Sequence, residues 1–229
     1  MALTASPKTM LVVVDMQSGE VLKRVENPPH SSMVHRLAFS RDGDRLYAAM
    51  QEGGLAIFDG KSFKYQGAMP VPPGRWTGLQ ITRDGKTAYL TDMDTGKVHK
   101  VDLAAKESVA SWDVALANGL ALSPDEKRLY VTTFGFLGHA PYKIVILDAR
   151  TGKLLKGADC IHPAPYGRAI SDITTILFSP DGKTLYLPSV DGDGLLLADA
   201  ETLEAKGFIL LSAIADYLPF RMVLSPQGR

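Results

Sequence analysis

A short turn segment recurs along the chain and constrains its fold more than any other feature. Its fullest copy runs from Ser179 to Tyr186 and reads Ser-Pro-Asp-Gly-Lys-Thr-Leu-Tyr. Related copies begin at Ser40, Thr82, Ser123 and Ser225, at intervals of 41 to 56 residues. Gly adopts positive φ freely and an Asp side chain accepts hydrogen bonds from nearby backbone N–H groups, so the segment suits a tight turn. A unit recurring at this period indicates a repeat architecture.

Each copy lies in the same pattern of strands. An apolar run leads into the turn, a Tyr-containing strand follows it, a third strand ends in Asp, and a more polar fourth strand completes the unit. Four short antiparallel strands per unit are typical of a β-propeller blade. The sequence therefore predicts one all-β domain over residues 1–229, a five-bladed β-propeller of four-stranded antiparallel blades. The predicted blades are approximately 30–68, 69–112, 113–157, 158–210, and 211–229 joined with 1–29.

The two ends of the chain hold complementary parts of one unit. The chain opens with a third and a fourth strand, and it finishes with a first strand and a clipped turn, Ser-Pro-Gln-Gly-Arg. The Asp residues that end the third strands, at 15, 59, 102, 148 and 199, lie 44, 43, 46 and 51 positions apart. Counting the 30 residues after Asp199 and the first 15 gives a matching interval of 45. We expect the N- and C-terminal strands to pair and close the ring; a fragment of a longer propeller is the alternative.

Composition narrows the partners. The chain has 25 basic and 25 acidic residues and a formal net charge of zero, which disfavours nucleic acid because that affinity needs an excess of Lys and Arg. No apolar run is long enough to predict membrane insertion. Cys160 is the single cysteine, so no internal disulfide is possible. We expect a monomer or a subunit of a hetero-complex. The compartment stays open: cytoplasmic, or periplasmic or extracellular if a signal peptide was removed.

The units resemble the YVTN-type β-propeller repeat, a WD40-like repeat whose pattern includes the SPDGK turn, the Tyr strand and the Asp-ended strand. This resemblance implies a binding module or scaffold. Two shorter stretches resemble other propellers. Asp199 to Gly207 and the strand from Lys8 to Val14 are similar to the propeller subunit of quinohemoprotein amine dehydrogenases, which implies a periplasmic subunit whose partner chain holds the cofactor. Asn118 to Asp125 is similar to SMP-30/gluconolactonase and strictosidine-synthase-like propellers, which implies a metal-dependent lactonase or hydrolase.

The candidate site is the start of each inner strand, where the copies differ and where we expect side chains to face a central funnel. Five positions before each turn Ser or Thr lie His35, Thr77, Asn118, Thr174 and Phe220. The predicted ligand-binding residues are His35, Arg36, Arg75, Trp76, Asn118, Asp172 and Arg221. Arg side chains would bind a carboxylate in a bidentate fashion and Trp would cover an apolar part. Alternatively, these side chains cap the channel and satisfy one another.

Other motifs predict no chemistry of their own. A metal-dependent hydrolase would need carboxylates at the strand starts, since hard divalent ions prefer several oxygen ligands, and Asn118 is accompanied there by Thr77 and Phe220. The Asp92-Met93-Asp94 segment suits either calcium binding or an ordinary hairpin loop. We therefore predict no catalytic residues, no metal and no cofactor. The predicted function is non-enzymatic binding of a protein or small polar ligand at a funnel mouth completed by loops 134–142 and 160–172.

Overall fold

The protein is described here by a computed structural model covering residues 9–15, 17–26, 34–51, 54–72, 74–134, 143–159, 173, 175–189 and 194–210. These residues form 18 β-strands and no helix, and hence no helix that could span a membrane. The prediction of an all-β chain is confirmed.

The strands form four sheets of four strands and one sheet of two. Blade 1 contains β3 (Val34–Phe39), β4 (Arg45–Met50), β5 (Leu55–Asp59) and β6 (Tyr65–Met69). Blade 2 contains β7 (Trp76–Ile81), β8 (Thr87–Asp92), β9 (Lys97–Asp102) and β10 (Glu107–Asp113). Blade 3 contains β11 (Ala117–Leu122), β12 (Arg128–Thr133), β13 (Lys143–Asp148) and β14 (Leu154–Asp159). Blade 4 contains β15 (Leu177–Phe178), β16 (Thr184–Ser189), β17 (Gly194–Asp199) and β18 (Ala205–Leu210). The terminal sheet pairs β1 (Thr9–Val14) with β2 (Val21–Glu26).

Each blade is an antiparallel meander in which consecutive strands are neighbours. The second and third strands are largely buried, whereas the fourth strand is exposed, as β4 and β14 illustrate. This gradient explains the polar composition of the fourth strands, because they form the outer edge of the stack. Tight turns join first and second strands, since two antiparallel neighbours need only a short connection.

The recurring turn is built by its hydroxyl, its carboxylate and its glycine. Ser179 Oγ donates to Asp181 Oδ1 (2.5 Å), and the backbone N–H of Thr184 donates back to Ser179 Oγ (2.9 Å). Gly182 has a φ of +70°, which disfavours residues with a Cβ. These contacts show that the Asp and Gly of the repeat are structural turn residues.

The blades are stacked face to face and share their cores. Trp76 and Leu90 of blade 2 pack in one cluster with Met69 of blade 1. Further clusters join blades 2 and 3, blades 3 and 4, and the terminal sheet to blade 1. Such radial stacking of four-stranded meanders is the architecture of a β-propeller, as predicted. The predicted pairing of the chain ends falls on residues 1–8 and 211–229, which lie outside the described residues.

Candidate ligand-binding site

The two ends of the blades carry different residues. The turn face carries the Ser/Thr-x-Asp turns. We call the opposite end, where first strands begin and second strands finish, the mouth face. Between blades 1 and 2 the mouth face brings together three basic side chains, His35, Arg36 and Arg75, which we call the mouth cluster.

Arg36 is held across the junction between two blades. Its Nε donates to the carbonyl of Thr77 in blade 2 (2.6 Å), and its Nη1 donates to the carbonyl of His35 (2.8 Å). The guanidinium group is half-buried. Because two backbone acceptors fix it, Arg36 presents its positive charge in a preorganised position.

Arg75 lies immediately before β7 and its side chain is exposed. One end of its guanidinium group, Nη2, contacts Met93 Sδ at 3.2 Å. Within the described part of the chain its guanidinium forms no salt bridge. The Arg75 guanidinium is therefore accessible from solvent.

The pKa of the His35 side chain depends on its burial and on the charged groups around it. Burial lowers its pKa below the ordinary 6.5, and the positive charges of Arg36 and Arg75 lower it further. The Asp94 carboxylate and a side-chain hydrogen bond with Gln51 act in the opposite direction. The imidazole is consequently mostly neutral at pH 7, and the local charge consists of two guanidinium groups against the Asp94 carboxylate.

Trp76 does not offer a face to the mouth. Its side chain is 1% exposed, and its indole Nε1 donates to the carbonyl of Met50 in blade 1 (2.9 Å). The ring also meets His99 edge-on, with 5.6 Å between ring centroids. In this structure Trp76 fastens blade 2 to blade 1.

Asn118 and Thr77 are used in the same way. Asn118 is 2% exposed and its Nδ2 donates to the carbonyl of Ile173 (3.4 Å), while Thr77 Oγ1 donates to the carbonyl of Ala117 (3.1 Å). Each side chain thus bonds the backbone of the next blade. For Trp76, Thr77 and Asn118 the geometry matches the alternative in which these side chains satisfy polar groups of the protein.

The remaining predicted site residues, Asp172 and Arg221, lie outside the described residues, as do Thr174, Phe220 and most of the two predicted mouth loops. Their part in a site stays a prediction. Of the seven predicted residues, the structure brings His35, Arg36 and Arg75 together, whereas Trp76 and Asn118 are buried and donate to backbone carbonyls of adjacent blades.

Sequence reasoning missed Gln51 and the role of Asp92. Asp92 ends β8 with no exposed surface, and it accepts hydrogen bonds from backbone N–H groups, which identifies the Asp92-Met93-Asp94 segment as a loop device. In the part of the chain that the structure describes, no group of three His, Cys, Asp or Glu side chains could hold a metal ion. A buried strand that ends in Asp was the available signal for Asp92.

Two clefts elsewhere are as large as an ordinary small-molecule site, so volume alone does not select the mouth cluster. One, of about 400 Å³, lies on the turn face between blades 3 and 4. Its Asp125 and Asp181 carboxylates already accept hydrogen bonds within their own turns, and Asp199 pairs with Lys206 at 2.9 Å. The other, about 420 Å³ and mostly apolar, lies between blades 2 and 3. The first cleft also holds basic groups from two blades, Arg128 with Lys183 and Lys206, but four acidic residues line it as well. The mouth cluster differs because its two guanidinium groups face the single carboxylate of Asp94.

Fold and site together define a β-propeller with a positively charged junction at one end. No protein-family model matches the chain, and no curated protein matches it. Solved structures do match it. Hydrazine synthase from Kuenenia stuttgartiensis aligns with a TM-score of 0.68 and 21% identity, over 92% of this chain and 57% of that chain. The Cps50 (Swd1) beta-propeller domain from Myceliophteria thermophila aligns with a TM-score of 0.66 and 18% identity, over 89% of this chain and 61% of that chain.

This chain therefore spans about three-fifths of the length of each of these two structures. At such low identity the likeness shows the fold alone. The two structures have unrelated names, and 1494 chains match in all, so the β-propeller fold by itself does not indicate a function here.

Proposed function

We propose that this protein is a non-enzymatic binding module, a propeller of the YVTN-repeat kind, that takes a carboxylate-bearing ligand at the mouth cluster. One observation carries the proposal. Arg36 of blade 1 donates from its Nε to the carbonyl of Thr77 in blade 2 (2.6 Å), two positions after Arg75, so this hydrogen bond brings the basic residues of two blades to one junction.

The chemistry of these groups favours a carboxylate. A guanidinium group presents a planar set of donors that matches the two oxygens of a carboxylate. Arg36 is fixed before the ligand arrives, which reduces the ordering cost of binding. The mostly neutral imidazole of His35 adds a hydrogen-bonding group beside the two guanidinium groups.

The two enzyme-related interpretations gain no comparable support. The hydrolase interpretation uses Asn118 as a metal ligand, and that buried amide instead donates to the carbonyl of Ile173. The dehydrogenase-subunit interpretation assigns the cofactor to a partner chain and names no residue of this chain as its ligand.

Titration calorimetry with citrate and succinate at fixed ionic strength tests the proposal. We expect the wild-type protein to bind at least one of the two probes, and Arg75→Gln to weaken that binding at least tenfold, since a charge-assisted pair is lost. Arg150→Gln is the matched control, because Arg150 is equally exposed but lies on the turn face of blade 3. Failure of the wild type to bind either probe, or equal losses in both variants, would overturn the proposal.

A further inference from the structure

A fully buried carboxylate lies directly beneath the mouth cluster. Asp92 has no exposed surface, and within the described residues it forms no salt bridge. A buried carboxylate is costly unless hydrogen bonds satisfy it. Asp92 is satisfied by three donors: the backbone N–H of Arg75 (3.1 Å), the backbone N–H of Asp94 (3.0 Å) and Thr95 Oγ1 (2.5 Å).

These three donors belong to two different loops. Arg75 precedes β7, whereas Asp94 and Thr95 follow β8. A backbone hydrogen bond from Met93 N to the carbonyl of Arg75 (3.1 Å) completes the connection. The single carboxylate of Asp92 therefore fixes the backbone of both exposed charged residues that flank His35.

Gly74 shows how tightly this connection is built. A Cβ added at Gly74 would lie 2.6 to 2.8 Å from the Asp92 carboxylate atoms, closer than real Cβ contacts allow. Gly74 does not need an unusual φ, so its lack of a side chain is what lets the loop approach Asp92.

We propose that Asp92 is a positioning residue for the mouth cluster: it sets where Arg75 and Asp94 lie relative to His35, and so determines the geometry that the ligand meets. The ligand-related half of this inference rests on the proposed function. The geometric half does not, because it concerns the positions of groups in the ligand-free protein.

The test compares Asp92→Asn with Asp92→Ala. Asn keeps an oxygen in the place of Oδ1 for both backbone N–H groups, and its amide can donate to the Thr95 hydroxyl; Ala removes every acceptor. The first readout is the pKa of His35, which is measured by NMR titration in the absence of any ligand. We expect Asp92→Ala to raise the pKa of His35 toward 6.5, since Arg75 lowers it more than Asp94 raises it. We expect Asp92→Asn, which removes the same charge, to leave it close to the wild-type value.

The second readout is the dissociation constant of the probe, citrate or succinate, that the wild type binds. Asp92→Ala is expected to weaken binding at least tenfold, and Asp92→Asn by no more than about threefold. The double variant Asp92→Ala with Arg75→Gln should lose no more affinity than Arg75→Gln alone, because the effects of residues that act through one another are not additive. An unmoved His35 pKa in folded Asp92→Ala overturns the positioning role. A moved pKa in a protein whose wild type binds neither citrate nor succinate overturns only the proposed function.

If Asp92→Ala does not fold, Gly74→Ala probes the same contact from the other loop, because its Cβ would meet the carboxylate. We then expect Gly74→Ala to raise the pKa of His35 in the same direction. An unchanged His35 pKa in Gly74→Ala would contradict the proposal.

Discussion

Burial is the largest cause of the lowered pKa of both His35 in blade 1 and His99 in blade 2, but the neighbouring charges differ. His35 is half-buried at the mouth and feels Arg36 and Arg75 as well as burial. His99 lies inside blade 2, is 5% exposed, and has its Nε2 buried without a hydrogen-bond partner among the described residues. Burial is the largest cause of its lowered pKa, with the charge of Lys97 acting in the same direction and that of Asp92 opposing. The pKa of His35 thus depends on the mouth cluster as well as on burial, whereas that of His99 depends mainly on its burial inside blade 2.

For His99 we predict a stability that falls with acidity. Its folded pKa is below the ordinary 6.5, so the unfolded chain binds the proton first as the pH falls. The contribution to stability is complete above pH 6.5 and is lost as the pH falls from 6.5 toward the folded pKa. Urea unfolding at pH 7.5 and at pH 5.0 should show a smaller drop in the free energy of unfolding for His99→Leu than for the wild type.

The control for this prediction is His35→Gln, which removes the other described histidine with a lowered pKa. Its effect on the acid-induced loss of unfolding free energy should be independent of that of His99→Leu, because the two rings lie in different surroundings. An identical pH dependence in His99→Leu and the wild type would contradict the role assigned to His99.

For His35 we predict that succinate, whose carboxylates stay mostly ionised between about pH 7.5 and 6.5, binds more tightly as the pH falls. A bound carboxylate stabilises the protonated imidazole, so binding takes up a proton. Affinity should rise by about two- to tenfold as the pH is lowered from about 7.5 through 6.5. Calorimetry in two buffers of different ionisation enthalpy would measure the proton uptake, and His35→Gln should abolish it. Proton release on binding would contradict the prediction.

At the scale of strands and turns, the described turns of the repeat share one backbone conformation, and one of them departs from the others in its residue type. The third turn has Glu126 at φ +60° where the other three described turns have Gly. Its carboxylate accepts a hydrogen bond from the backbone N–H of Arg83 (2.5 Å) in the neighbouring turn. A contact between blades thus accompanies the unfavourable backbone conformation of this turn.

The glycines of the repeat allow a graded test of turn strain. Gly43 (φ +73°) has open space around it, whereas a Cβ at Gly182 (φ +70°) would lie 3.1 Å from Pro124 Cγ. We expect Gly43→Ala to lower the free energy of unfolding by about 1 kcal/mol, which is the cost of a left-handed Ala, and Gly182→Ala to lower it by more. Gly207→Ala is the control, because Gly207 lies in β18 without a positive φ restriction and with nothing within 4 Å. Chemical denaturation measures all three; equal effects at Gly43 and Gly207 would contradict the turn argument.

At the scale of the whole molecule, the sequence was informative about contacts within a blade and uninformative about contacts between blades. The Ser-Pro-Asp-Gly turn and the Asp-ended strands suffice to order the four strands, because those signals repeat within each unit. The side chains of Trp76 and Asn118 donate to the backbone carbonyls of Met50 and Ile173 in adjacent blades. Every residue has a backbone carbonyl, so the sequence does not indicate which one will accept. The mouth cluster could be predicted because the residues at its three positions vary among the copies of the repeat. The role of Asp92 could not be predicted, because Asp92 acts through backbone N–H groups.

The repeat tyrosine illustrates how blades are joined. Tyr89 OH donates to the carbonyl of Ala149 (2.8 Å), and Tyr130 OH donates to the carbonyl of Ala200 (2.7 Å). In each case the hydroxyl crosses to the residue that follows the third strand of the next blade. Burial raises the pKa of Tyr89 to about 12, so both hydroxyls remain protonated donors at neutral pH.

We predict that these two contacts contribute separately to the cohesion of the stack. Tyr89→Phe and Tyr130→Phe should each lower the free energy of unfolding by about 1 to 2 kcal/mol, because a buried carbonyl loses its donor while the ring packing is kept. They join different pairs of blades and share no partner, so the double variant should show the sum of the two losses within about 0.5 kcal/mol. Tyr65→Phe is the control, since Tyr65 is 44% exposed on the outer strand of blade 1. Urea unfolding followed by tryptophan fluorescence gives the comparison, and losses in Tyr130→Phe no larger than in Tyr65→Phe would show that the hydroxyl does not hold the blades together.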